Sequence, residues 1–232
     1  MLRHIRLLIL DLDYVVFDCA PLRVQALRQS MISLADSIPQ NVRLPGPADV
    51  EEGYREHGRR WIHHLDIGLD EEKLVDLQQT YAIQENRLIE AGRGRLMPGI
   101  QEFIAHCRQR NLATALGADA ERNYLTAVSD HHDLDELFQL ALCTEEFGQG
   151  GADEMLEEIM RQAEVNPSET LALGTRPDYL QAAHALDIMT IGCGWGIHQH
   201  DALAEADLQS LSLAQLFPTV EKADARVSQY LD

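Results

Sequence analysis

The segment Ile-Arg-Leu-Leu-Ile-Leu-Asp-Leu-Asp, residues 5–13, constrains the fold of this chain more than any other. It is a short, continuous apolar run that ends in two acids. A strand with one wet face alternates apolar and polar residues, whereas a strand buried on both faces reads as an unbroken run, as in a parallel sheet. Ligands of such sheets sit beyond the strand C-termini, which is where Asp11 and Asp13 are delivered. Further short runs follow at 112–117 (LATALG), 140–143 (LALC), 170–174 (TLALG) and 188–192 (IMTIG). Helical patterns at 99–110, 119–128, 152–164 and 177–186 alternate with them. The alternation predicts an α/β fold, a Rossmann-like parallel sheet of roughly five strands with helices on both faces.

Between the first strand and this repeating part lies a helical block. Leu22, Ala26, Leu27, Met31, Leu34, Ala35 and Ile38 recur at a spacing of three to four, so an amphipathic helix is expected over 21–37. The stretch PQNVRLPGP (39–47) is a turn-rich break. Helices are predicted over 49–66 and 70–90, the second with Asp70 as N-cap before EEKL. Residues 19–92 thus separate two α/β segments, 1–18 and 93–232. The tail after Pro218 reads as helical, acidic and peripheral.

Composition narrows the partners. A net charge of −19 repels phosphate backbones and excludes a nucleic-acid role. No apolar run approaches the length of a membrane span, and MLRHIR lacks the apolar region of a signal peptide, so a cytoplasmic protein without a membrane partner is expected. Cys19, Cys107, Cys143 and Cys193 show no CxxC pairing and read as buried, reduced thiols. His63/His64, His131/His132, His198 and His200 lack any HExxH-like spacing and read as surface residues. Trp61 and Trp195 read as core packing.

A strand ending in D-x-D-x-V, a helical insertion, a Met-Pro-Gly-Ile return and then βα units resemble the haloacid dehalogenase superfamily. The segments LLILDLDYVVFD and LALGTRPDYLQAAHALDIMTIGCGWG carry the likeness, which runs over about residues 5–217. The subfamily it is most similar to groups phosphoglycolate-phosphatase-like and beta-phosphoglucomutase-like proteins, and implies that 19–92 form a helical cap over the core. The resemblance implies Asp11 as the nucleophile that forms an aspartyl phosphate, and Asp13 as the acid/base that serves the leaving oxygen and the water. In that family a Ser or Thr and a Lys hold the phosphoryl oxygens, and further acids help carry Mg²⁺, which favours near-octahedral oxygen ligands. The implied Mg²⁺ set here is Asp11, Asp13 and Asp178.

Three motif positions depart from the pattern. Ala118 stands where the strand LATALG should deliver Ser or Thr, and Thr114 lies too early, within the strand. Gly151 occupies the Lys position in GQGGAD, and no lysine occurs between Lys73 and Lys222. The family's Gly-Asp is replaced by Gly174-Thr175, which leaves Asp178 as the nearby acid and Arg176 as a possible substitute cation. Tyr14 adds bulk beside the nucleophile position. Removing one preorganised donor costs ~10²–10³ in rate, and two together ~10⁴. The expected function is therefore a catalytically impaired pseudophosphatase that serves as a binding module for a small anionic ligand or a protein partner. The alternative is an active, atypical Mg²⁺-dependent phosphatase acting on a small phosphomonoester through Asp11, with Arg176 and Asp178 replacing the lost groups. Dehalogenase chemistry ranks third, because Asp13 is retained.

Overall fold

The apolar run folds as β1 (Leu7–Asp11), buried at every residue. It lies inside a six-stranded sheet of order β5-β4-β1-β6-β7-β8, with β4 at Ala113–Ala118, β5 at Leu140–Cys143, β6 at Thr170–Gly174, β7 at Met189–Cys193 and β8 at Leu208–Ser210. All five pairings are parallel. The computed structural model describes residues 2–39, 42–148, 151–195 and 203–231. The sheet therefore has one strand more than the sequence pattern predicted. The added strand, β8, is only three residues long and of mixed burial, so it carries no apolar run.

Alternate residues of the strands feed two apolar layers. Leu7, Ile9, Ala115 and Ala172 face Met155, Leu156 and Ile159 of α7 (Ala152–Ala163) and Tyr179, Leu180 and Ala183 of α8 (Pro177–Ala185). Leu8, Leu10, Leu116 and Leu173 belong to the other layer. There they join α4 (Ile100–Gln109), α5 (Arg122–His132) and the one-turn α6 (Leu134–Leu137). Because β4 lies on one side of β1 and β6 on the other, the chain reverses its winding at β1. A crevice opens at such a point, beyond the C-terminal ends.

The helical block comprises α1 (Ala20–Ser33), α2 (Pro47–His57) and α3 (Glu71–Glu90). Asp70 caps α3 as expected, its carboxylate accepting from the Lys73 backbone N–H. The single helix predicted over 49–66 is not formed. It breaks at Gly58, whose φ of 55° and ψ of −140° suit glycine alone, and the chain continues as a 3-10 turn over Gly58–His64. An antiparallel ribbon, β2 (Phe17–Asp18) with β3 (Arg95–Leu96), joins the two ends of the block. One apolar cluster runs without interruption from Leu10 and Leu116 of the sheet to Leu27, Trp61 and Leu77 of the block.

Residues after Pro218 are not peripheral. Pro218 lies inside α9 (Leu213–Leu231), which buries Leu216, Val220, Ala223 and Val227 in the core. The acidic reading missed that Asp224 is buried too. Its carboxylate accepts from the backbone N–H groups of Arg3, His4 and Ile5 at 2.8–3.1 Å and so holds the entrance of β1. All four cysteines are buried and unpaired. Trp61 is buried and Trp195 half-buried against the core. His63, His64 and His131 are exposed, whereas His132 leans on the Phe17 ring. His198 and His200 lie outside the described residues. No described helix is long and apolar enough to cross a membrane.

Asp224→Ala removes the acceptor of three N–H groups, and hydrogen bonds to a charged group contribute about 1.5–3 kcal/mol. We expect a loss of that order in urea unfolding and faster hydrogen exchange at Ile5. Burial acts to raise the Asp224 pKa, but the three N–H groups hold it below the usual value. The clamp's contribution is therefore present above the ordinary carboxylate pKa and is lost as pH falls. Equal unfolding midpoints at pH 7 would show that the contact holds nothing.

Candidate active site

The strand registers bring the motif positions to one edge. Asp11 ends β1 opposite Gly117, Ala118 ends β4, Thr175 and Arg176 follow β6, and Gly151 is the N-cap of α7. The spatial grouping expected from sequence is present, with Ala and Gly standing where a hydroxyl and an ammonium were expected. Thr114 lies within β4, hydrogen-bonded toward the Leu137 carbonyl, away from this edge.

Asp13 is consumed by a buried network. Its Oδ2 accepts from Arg23 Nη2 at 2.5 Å and Tyr54 Oη at 2.8 Å, and Oδ1 accepts from Tyr124 Oη at 2.6 Å. Arg59 Nη1 lies 3.7 Å from Oδ2. A second buried acid, Glu85, balances the two arginines: it accepts from Arg59 Nη2 at 3.0 Å and Tyr81 Oη at 2.6 Å, with Arg23 Nε at 3.9 Å. The Arg23 guanidinium stacks 3.2 Å above the Tyr54 ring, and that of Arg59 4.1 Å above Tyr124. Every helix of the block and α5 thereby contribute to one patch around Asp13. Burial would raise the Asp13 pKa, but Arg23, Arg59, Tyr124 and Tyr54 overcome it and hold the group below its ordinary value. A carboxylate so stabilised in its charged form is poorly suited to carry a proton to a leaving group near neutral pH.

Asp11 faces the opposite environment. It is 2% exposed, and its Oδ2 has no hydrogen-bond partner among the described residues. Burial pushes its carboxyl well above the usual range, and the nearby acids Asp13, Asp119 and Asp178 add to this against the pull of Arg176. An enclosed acid whose carboxyl is held above its usual range gives up its proton less readily and is a weaker nucleophile. The Thr175 hydroxyl beside it is buried and likewise unpartnered among the described residues.

Arg176 is not the solvent-facing side chain its place past a strand end suggests. It is 4% exposed and forks onto Asp178, Nε to Oδ1 at 3.0 Å and Nη2 to Oδ2 at 2.7 Å, while Nη1 donates to Asp119 Oδ2. Asp119 also accepts from Thr144 Oγ1 at 3.0 Å. Sequence reasoning missed Asp119, although its place directly after Ala118 at a strand end was a usable signal. It missed Arg23, Tyr54, Arg59, Glu85 and Tyr124 as well, since no local motif marks residues gathered from five elements. A cleft of about 1200 Å³ runs between block and sheet edge, lined by Arg59, Asp119, Arg176 and Asp178 together with His57, Arg60, Glu121, Glu145, Gly151 and Asp153 among others. Asp11 does not line it.

A family model described as haloacid dehalogenase-like hydrolase matches residues 5–187, most of the chain. The chain belongs to the haloacid dehalogenase-like hydrolase family. Solved structures agree on the fold. A protein described as a predicted phosphoglycolate phosphatase from Haemophilus somnus superposes with a TM-score of 0.77 at 12% identity, covering 95% of this chain and 100% of that one. CbbY from Rhodobacter sphaeroides, in complex with phosphate, gives 0.74 at 18% identity over 91% and 96%. A haloacid dehalogenase-like hydrolase from Bacteroides fragilis gives 0.76 at 16% over 91% and 99%. At these identities the likeness establishes the architecture alone. No curated protein matches the sequence.

The Mg²⁺ set inferred from the family, Asp11, Asp13 and Asp178, does not fit an ion here. Asp13 already accepts three hydrogen bonds, Asp178 is forked by Arg176, and burial pushes the Asp11 carboxyl well above the usual range, which disfavours the charged form an ion needs. Among the described residues no three His, Cys, Asp or Glu side chains are grouped so as to hold a metal.

Two measurements probe this electrostatic reading. Breaking a buried ion pair costs about 3–5 kcal/mol, so Arg23→Met is expected to lose that much in urea unfolding while the exposed Arg28→Ala stays within about 0.5 kcal/mol. Equal effects would remove the network's special status. For Asp11 the folded chain holds its proton above the pH at which the unfolded chain releases it. Wild-type stability therefore falls as pH rises past the ordinary carboxylate value, with about 1.4 kcal/mol at stake per unit of displacement. Asp11→Asn carries no such burden, so its stability relative to wild type is expected to climb between pH 4 and 8. A flat difference would mean that Asp11 is ionised in the fold.

Proposed function

We propose that this haloacid dehalogenase-like protein is a pseudophosphatase, a binding module on a hydrolase fold. The observation that carries the reading is the state of Asp13: three hydrogen bonds, one from Arg23, and a second cation, Arg59, hold its carboxylate within the helical block. The group that would relay protons in the family serves here as an anchor. On this reading residues 19–92 are a cap held shut over the sheet edge, and Asp11 is sealed beneath it. The small anion that ancestry suggests as ligand would meet the acidic groups Glu121, Glu145 and Asp153 in the cleft, where Arg59 and Arg176 are already paired with acids. Arg60, exposed and in no ion pair among the described residues, with His57 and His63 is the basic part left to receive it.

The active, atypical alternative draws on Arg176, which does sit in the site. Three of its five N–H donors are already engaged by Asp119 and Asp178, so it does not present an open fork to a phosphoryl group. Phosphate release from a broad panel of small phosphomonoesters with Mg²⁺, wild type beside Asp11→Asn, tests the proposal. We expect both proteins to sit at the blank, at least ~10⁴ below an intact family site. Mg²⁺-dependent release that Asp11→Asn abolishes would overturn it in favour of the atypical phosphatase.

A further inference from the structure

The cleft between block and sheet edge has walls of opposite character. The block contributes Arg60, with His57 and His63 of the same segment. The sheet edge contributes Glu121, Glu145 and Asp153, none of them in an ion pair among the described residues. The neighbouring Arg122 is committed elsewhere, to Glu146 at 2.7 Å. First-turn amides are where a helix holds a free anion, and at this edge the chain's own carboxylates have taken those places. Glu145 Oε2 accepts from the Arg122 N–H that opens α5 at 2.8 Å, and Asp178 Oδ1 accepts from the Tyr179 N–H in the first turn of α8 at 2.9 Å. Asp153 stands in the first turn of α7. Arg176 also lines the cleft; it is 4% exposed, and two of its five N–H donors have no partner among the described residues.

We propose that this cleft takes a small dipolar molecule, an ammonium group joined to a carboxylate, in place of the phosphate ester that ancestry suggests. The proposal rests on the reading of the cleft as a binding site and names the class of its ligand. The ammonium meets Glu121, Glu145 and Asp153 on the sheet side. The carboxylate meets Arg60 on the block side, where the two remaining Arg176 donors can also reach an oxygen. Five carboxylates and three arginines line the cleft, so an anion without a positive end is repelled on entry. A doubly charged phosphate would need two open cations, and Arg60 is the one arginine of the lining without an ion pair among the described residues. A singly charged carboxylate needs only one. An amine without a negative end would satisfy the acids but leave Arg60 facing it. At about 1200 Å³ the cleft is larger than such a molecule, so water stays with it and each ion pair contributes modestly.

The test is a titration of the full chain with ω-amino acids of increasing length, each beside the alkylamine and the alkanoate of that length, and with inorganic phosphate. Binding is read from the amide NMR shifts of Arg60, Glu121 and Ala152. At the best length the ω-amino acid is expected to bind about tenfold tighter than its amine, while alkanoate and phosphate move nothing. Glu121→Gln combined with Asp153→Asn is expected to weaken the ω-amino acid about tenfold, whereas Glu154→Gln, exposed on α7 outside the cleft, leaves it unchanged. Arg60→Ala brings ω-amino acid and amine to one affinity. All these side chains are exposed, so the variants keep the wild-type unfolding temperature. Phosphate or an alkanoate binding as well as the ω-amino acid would overturn the proposal, as would an amine that binds wild type equally tightly. A series in which no member moves those amides overturns it too. The readout needs no turnover. Phosphate release in the phosphomonoester assay would sink the proposed function and leave the ligand class standing, and failure here leaves the outcome of that assay untouched.

Discussion

Four full charges, those of Asp13, Glu85, Arg23 and Arg59, lie out of water between the helical block and the sheet, and the rest of the structure is arranged around keeping them paired. An unpaired buried charge costs several kcal/mol, so none of the four can move without its partners. That requirement fixes the angle at which α1, α2, α3 and the Gly58–His64 turn approach the sheet. It also accounts for the tyrosines. Tyr54, Tyr81 and Tyr124 each supply a hydroxyl to an acid, and the rings of Tyr54 and Tyr124 lie under a guanidinium, so each serves the network with both ends of its side chain. Tyr14, at a φ of 64° that costs a non-glycine residue about 1–2 kcal/mol, is held in place by packing against Tyr54 and Arg23.

The same arrangement separates two acids that stand two residues apart on one strand end. Asp13 is surrounded by donors that hold its carboxyl below the usual range, whereas burial and the nearby acids push that of Asp11 up against the pull of Arg176. Divergent environments for neighbouring carboxylates often divide catalytic labour. Here the two shifts run in opposite directions, up at Asp11 and down at Asp13.

Much of this was legible in the sequence because it is local. An unbroken apolar run, a D-x-D at its end and strand–helix alternation are patterns of a few residues each, and they specify the sheet and the edge where Asp11, Ala118, Gly151 and Arg176 meet. What was not legible depends on separation. Arg23 pairs with Asp13 across ten residues, Tyr124 with Asp13 across 111, and Asp224 with Ile5 across 219. No periodicity announces such partners, and a charged residue on a helix reads as solvent-facing by default, as Arg176 and Asp224 did. Gly58 was overlooked for a related reason: the pattern over 49–66 continues through it, and the positive φ at which the helix stops leaves no mark on that pattern.

The Asp224 clamp has a bearing on how the chain comes into being. β1 leaves the ribosome before its neighbours β4 and β6 and before the acid that secures its entrance. At about 5–20 residues per second, translating the 219 residues between Ile5 and Asp224 takes roughly 10 to 45 s. Until β4 and β6 have been made within that interval, the run Leu7–Leu10 has no lasting shelter. The nascent chain therefore needs either a transient chaperone partner or the mutual repulsion of its own acidic segments to keep that strand from pairing with another copy.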